Sequence, residues 1–241
     1  MKIFRFVIIA FITISIISTL IFWYFNYRET QANPQEISNT AERQEMYKRN
    51  DNYVVQMQMF ALYKIQNAKI VFLGNSHTYN ANWNELLGRC DVANRGINSD
   101  ITSGYLHRID YVLNLKPAVC FVEGGVNDFY SKFTVDEVFN NLKSVSEILK
   151  SKKIIPIFTT TFPVATNRET AKLINNQIQQ LNILLAKYCK DNKITLIDIN
   201  PQITINDFLK PELTYDGLHL NAYGYKIWIP KIEECLKKLN I

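Results

Sequence analysis

The chain has 241 residues, 47% of them hydrophobic and 20% charged, with a net charge of +5. That is an ordinary globular composition, and with a membrane segment set aside roughly 200 residues remain, enough for one domain with one sizeable core. The basic excess is spread along the chain without a dense Lys/Arg run, which leaves nucleic-acid binding without support.

From Phe6 to Tyr27 the chain carries no charge and is mostly Ile, Phe, Leu and Val. As a helix this run spans roughly 33 Å, enough for a hydrocarbon core of about 30 Å. Lys2 and Arg5 precede it, and Trp23, Tyr24 and Tyr27 close it as an aromatic belt would. The two leading cations place the N-terminus in the cytoplasm and residues 28–241 outside it. A cleaved secretory signal is the other reading, with Thr30 and Ala32 as a small-residue site. The apolar run is long for a signal, so a membrane anchor over residues 1–27 is expected.

Residues 28–67 read as a polar linker around Pro34 followed by a helical stripe through Met46, Tyr53, Val54, Met57, Phe60 and Ile65, either a stalk or a helix packed on the domain. From residue 68 short apolar runs alternate with helical segments. Strands are expected over 69–73, 90–94, 118–123, 154–159 and 194–199, and helices near 101–114, 134–151, 168–192 and 222–239. Pro156 should limit how fully the fourth strand joins a ladder, and Pro230 should kink or interrupt the last helix. Such alternation argues for a parallel sheet covered on both faces, with ligands beyond the strand C-terminal ends. Among the four cysteines, Cys90 and Cys120 are expected buried in strands. Cys189 with Cys235 is the one pair entertained as a disulfide, and no metal-type spacing is present.

Polar clusters follow the strands: Gly74-Asn75-Ser76-His77-Thr78 after the first, Gly125-Val126-Asn127-Asp128 after the third, and Asp216-Gly217-Leu218-His219 before the last helix. A serine hydroxyl needs a base to become a nucleophile, and a histidine serves as that base when a carboxylate fixes its tautomer. Ser76, His219 and Asp216 supply these parts. Asn127, Gly96 and the Ser76 amide are candidate donors to a developing oxyanion. Each residue has a bland reading: Ser76 as a turn residue, His219 as structural, Asp216 as a cap, Asn127 as a loop brace, Gly96 as a turn glycine. Their joint placement at strand ends selects the catalytic one. His107 reads as surface or packing, Asp128 as structural, and Glu123 has no assigned role. The Thr159–Pro163 segment reads either as pocket lining or as turn chemistry.

The order Ser76, Gly96, Asn127 in GVND and His219 in DGLH resembles the four blocks of the SGNH (GDSL-type) hydrolases, over roughly residues 69–240. The resemblance implies a flavodoxin-like three-layer α/β/α sandwich with five parallel strands, here preceded by one N-terminal transmembrane helix. It implies a cofactor- and metal-free mechanism in which Ser76 attacks an ester carbonyl, His219 shuttles the proton and Asp216 orients it. The amides of Ser76 and Gly96 and the side chain of Asn127 would bind the oxyanion. Asn75 departs from the family's usual Gly-Asp-Ser, which bears on subfamily and loop geometry rather than on the nucleophile. The expected activity is an extracytoplasmic, membrane-tethered esterase for small acyl groups on carbohydrate or cell-envelope substrates. A membrane-tethered O-acyltransferase is the alternative, and a non-catalytic binding module a third. Oligomeric state is not legible.

Overall fold

The computed structural model of the protein describes residues 42–241. The expected anchor and most of the expected linker lie outside the described residues. Among the described residues no helix is long and apolar enough to cross a membrane.

Five short strands form one parallel sheet: β1 Ile70–Gly74, β2 Val92–Gly96, β3 Val119–Glu123, β4 Ile155–Thr159 and β5 Thr195–Ile197, in the order β2-β1-β3-β4-β5. Alternate residues face opposite ways. Val71, Leu73, Cys120, Val122 and Phe158 enter one core, while Ile70, Phe72, Val119, Phe121 and Ile157 enter the other. Both faces are apolar because both are covered. The first is covered by α1 (Asp51–Leu62), α4 (Thr102–His107), α7 (Val135–Ser151) and α8 (Ala171–Asp191). The second is covered by α3 (Trp83–Leu87) and α10 (Ala222–Lys238). This is the expected three-layer sandwich. Shorter α-helical turns are α2 Ser76–Tyr79, α5 Asp110–Leu113, α6 Val126–Tyr130 and α9 Asn200–Ile203, 3-10 turns lie at Met46–Arg49 and Pro211–Leu213, and β6 (Thr204–Ile205) pairs with β7 (Phe208–Leu209) as a small hairpin.

Several expectations are corrected. The helix within 28–67 is shorter than its stripe, and it packs on the domain through buried Tyr53 and Phe60. Its opposite side leaves Val55, Met59 and Leu62 exposed. The segment near 101–114 divides at Arg108 and Ile109 into α4 and α5. Pro230 does not interrupt α10, which runs unbroken through it. Lys226 and Pro230 are both exposed, so water can take the freed carbonyl, while buried Trp228, Ile232 and Leu236 hold both halves on the sheet. Pro156, as expected, limits how fully β4 joins a ladder, on its β5 side. The Ile155 amide faces β3, so Pro156 faces β5, whose pairing begins only at Ile157. Cys90 is exposed because β2 starts at Val92, whereas Cys120 is buried as expected. Cys189 and Cys235 are free, since they belong to cores on opposite faces of the sheet and cannot meet.

Between β1 and β3 the chain order reverses, which is where such sheets open a crevice. The strand ends there are fixed by a fully buried guanidinium. Arg108 donates from Nε to Asp100 Oδ2 (2.8 Å), from Nη1 to the Arg95 carbonyl (2.6 Å) and from Nη2 to the Gly74 carbonyl (2.9 Å). Replacing Arg108 by Met strands a buried Asp100, so we expect a loss of about 3–5 kcal/mol, read from urea unfolding. A loss under about 1 kcal/mol would contradict this account.

Candidate active site

Ser76 opens α2 directly beyond the β1 end. Asn75 is its N-cap, and its side-chain oxygen accepts the His77 amide at 2.9 Å. The Ser76 amide, first in the helix, has no intrahelical acceptor by its position.

The Asp216–His219 turn is built by its own aspartate. Asp216 Oδ1 accepts the amides of Leu218 (2.9 Å) and His219 (2.8 Å), and Thr214 Oγ1 accepts the Gly217 amide (2.9 Å). Gly217 takes φ +85, a left-handed conformation that would strain any other residue there. The turn carries His219 to Ser76. His219 Nδ1–H donates to Asp216 Oδ2 at 2.7 Å, and Ser76 Oγ lies 2.9 Å from Nε2. A carboxylate can only accept, so Nδ1 holds the proton and Nε2 is free to accept the serine's. Burial opposes ionisation of Asp216, but the His219 and Leu218 amides and the His219 ring outweigh it and hold its pKa down to about 2. The arrangement can deprotonate a serine hydroxyl and hold the resulting imidazolium.

The structure thus joins Ser76, His219 and Asp216 in one hydrogen-bonded chain. Asn127 at the start of α6 uses Nδ2 to donate to the Asp100 carbonyl at 2.9 Å, which leaves its second N–H. Gly96 is not presented as an oxyanion donor. Its amide donates to the Asn94 side chain at 2.7 Å, and a Cβ there would overlap the Tyr79 amide. Its small size serves the packing of α2 on β2. In the loop that follows, Ser99 holds φ +58, a conformation costly for a non-glycine residue and frequent at functional sites.

Other expectations resolve locally. Asp128 is buried and accepts from the Thr102 amide and hydroxyl, a structural role, and its carboxyl is pushed up to about 7 by burial. His107 is exposed and stacks on Tyr47. Thr161 donates to the Gly124 carbonyl at 2.6 Å, while Thr160 and Pro163 line a cavity of about 460 Å³ between α8 and the β5 end. That cavity does not include Ser76 or His219, so bonding geometry, not cavity size, locates the site.

Of three further residues near the serine, Tyr215 escapes the sequence reading, Glu123 is assigned no role by it, and His77, directly after the serine, is expected to touch substrate or Asn75. Tyr215 is 67% exposed and stacks on His219 with ring centroids 5.6 Å apart. His77 is buried, and its Nε2 lies 3.1 Å from the Leu218 carbonyl. Glu123 is buried at the end of β3, in register beside Gly74. A charged residue closing an apolar run, and a histidine abutting the serine, were the signals available.

A five-stranded α/β sheet with a Ser–His–Asp chain beyond its β1 end describes a serine ester hydrolase. Residues 72–227 match the GDSL-like lipase/acylhydrolase family, and the chain belongs to it. It is 29% identical to a GDSL-like lipase from Bacteroides thetaiotaomicron (TM-score 0.69; 78% of this chain, 98% of that one). It is 27% identical to a putative acylhydrolase from Bacteroides fragilis (TM-score 0.71; 79% and 99%). Over 114 residues it is also 34% identical to N-acylneuraminate cytidylyltransferase of Streptococcus agalactiae serotype III. That match takes in 47% of this chain but only 27% of the relative's length.

Asp216→Asn keeps the shape of the turn but loses the anion that fixes the His219 tautomer. Ester hydrolysis should fall about 10³–10⁴-fold in kcat with little change in thermal midpoint. A fall of less than tenfold would count against the proton path.

Proposed function

We propose that the protein hydrolyses small acyl esters, acetyl-type, on carbohydrate or cell-envelope substrates, with Ser76 as nucleophile, His219 as general base and acid, and Asp216 orienting it. The observation that carries this reading is the continuous chain Ser76–His219–Asp216 at 2.9 and 2.7 Å. Ser76 Oγ attacks the ester carbonyl carbon while its proton passes to His219 Nε2. The Ser76 amide and the free N–H of Asn127 are the donors to the oxyanion. His219 then protonates the departing alcohol, leaving acyl-Ser76. Water attacks that ester with His219 again taking the proton, and the acid leaves.

Ser76 is 4% exposed and reached beside the partly open His219, which favours a small acyl group carried on an accessible alcohol. The exposed Tyr215 ring next to His219 is a flat surface on which a sugar ring can stack. The streptococcal relative's name concerns an acylated sugar, which also supports a glycan alcohol. The uncharged run from Phe6 to Tyr27 supports a single-pass tether with the catalytic domain on the extracytoplasmic side, and the exposed Val55, Met59 and Leu62 of α1 are compatible with a site close to a membrane.

An organophosphonate should label Ser76 stoichiometrically, and Ser76→Ala should abolish both labelling and hydrolysis of para-nitrophenyl acetate. Retained turnover in Ser76→Ala would end this reading. Tyr215→Ala should raise KM for acetylated oligosaccharides about tenfold while leaving para-nitrophenyl acetate nearly unaffected. Equal effects on both substrates would remove the stacking role.

A further inference from the structure

Eight buried side-chain polar atoms lack a hydrogen-bond partner among the described residues, and four of them belong to Asn75, His77 and Glu123. Asn75 and His77 flank Ser76 in sequence, and Glu123 stands in register beside Gly74. Buried unpaired polar atoms are costly, so this concentration calls for a physical reason.

His77 supplies it. A carbonyl only accepts, so the 3.1 Å contact with Leu218 puts the His77 proton on Nε2. In the neutral ring Nδ1 is then an acceptor, and it faces Glu123 Oε2 at 3.8 Å with both side chains buried. A formed O–H···N bond has a length of about 2.8 Å, so the pair has to close by about 1 Å to make it. Leu218 lies inside the turn that aims His219 at Ser76, and Phe162 packs edge-on against the His77 ring. The other titratable and charged groups around the pair are His219, whose ring centroid is 5.7 Å from that of His77, Asp216 across the turn, and the hydroxyls of Tyr225 on the His77 carbonyl and Tyr105 on the Glu123 carbonyl. Arg108 and Asp100 lie beyond Gly74 and are paired with each other.

We propose that Glu123 and His77 form a proton-sharing positioning pair, in which protonated Glu123 donates to His77 Nδ1 so that His77 Nε2–H holds the Leu218 carbonyl and, through it, the turn that places His219. When Glu123 gives its proton to solvent, its carboxylate attracts the Nδ1–H tautomer instead. The Nε2 lone pair then confronts the Leu218 oxygen, and the turn loosens. Burial sets the sense of this switch: it pushes the Glu123 carboxyl up to about 8 and, together with His219, pushes the His77 imidazolium down to about 4, so near neutrality the proton rests on Glu123. His77 and Glu123 are positioning residues; neither reaches the reacting atoms.

The pair rests on the ester-hydrolase reading for its kinetic effect but not for its spectroscopic one. The full-length chain should be assayed on para-nitrophenyl acetate from about pH 6 to about pH 10, with kcat and KM separated. We expect wild-type kcat to fall as pH rises through about 8, and Glu123→Gln to lack that fall, since its amide can donate to Nδ1 at every pH. His77→Leu should lose about tenfold or more in kcat with KM little changed, and His77→Gln, whose amide can still donate to Leu218, should restore most of it. Nitrogen NMR of isotope-labelled histidine needs to separate only three rings. It should show His77 as the neutral Nε2–H tautomer near neutrality, moving to Nδ1–H above about pH 8 in wild type but not in Glu123→Gln. A fixed His77 tautomer, an alkaline fall that persists in Glu123→Gln, or full kcat in His77→Leu each overturns the proposal. Should His77→Leu fail to fold, the NMR titration and the Glu123→Gln profile still decide. A tautomer change without any Ser76-dependent hydrolysis would support the pair and overturn the esterase reading.

Discussion

The guanidinium of Arg108, wholly buried and bonded to Asp100 and to the carbonyls that end β1 and β2, is the constraint on which the rest of the site depends. Removing a charge from water is expensive, and only complete pairing offsets it. Arg108 achieves this by collecting the ends of the two strands that lead into the Ser76 helix and the Ser99 loop. Burial raises the Asp100 carboxyl, and the Arg108 charge and hydrogen bond draw it back. The main chain of Asp100 extends the network by accepting from Asn127. One ion pair therefore ties three loops that are distant in sequence.

The Ser–His–Asp chain, by contrast, is set by short-range turn chemistry. Asn75 caps one amide of α2, and Asp216 accepts two amides of its own turn while also holding the His219 ring. Each half is almost self-contained. Their register is fixed by a few long-range contacts that converge on His77: its ring on Leu218, and the Tyr225 hydroxyl on its carbonyl. Asn75 suits this setting. An uncharged cap satisfies the His77 amide without adding a second carboxylate near buried Glu123.

The strands were legible as five continuous apolar runs between helices, because both faces of a parallel sheet are covered. Strand ends were legible to within about two residues. What misled were features whose outcome depends on surroundings. Pro230 reads as a helix breaker, yet its freed carbonyl lies toward solvent. Cys90 reads as part of a strand that in fact begins two positions later. Gly96 reads as an amide donor, yet Asn94 folds back to take that amide.

Ser76, Asp216 and His219 were legible as candidate site residues in the sequence alone, because each stands in a local motif: a serine after a strand-ending glycine, and an aspartate three residues before a histidine. Fold class was determined likewise, by periodicity. Only the tertiary structure decided that Glu123, noted at first merely as the end of a strand, stands buried against His77, that Arg108 closes two strand ends, and that Tyr215 lies flat on His219. Those relations join residues far apart in the chain or depend on which way a loop turns. Burial then changes their chemistry, raising one carboxyl and lowering one imidazole, and no spacing within a sequence carries that information.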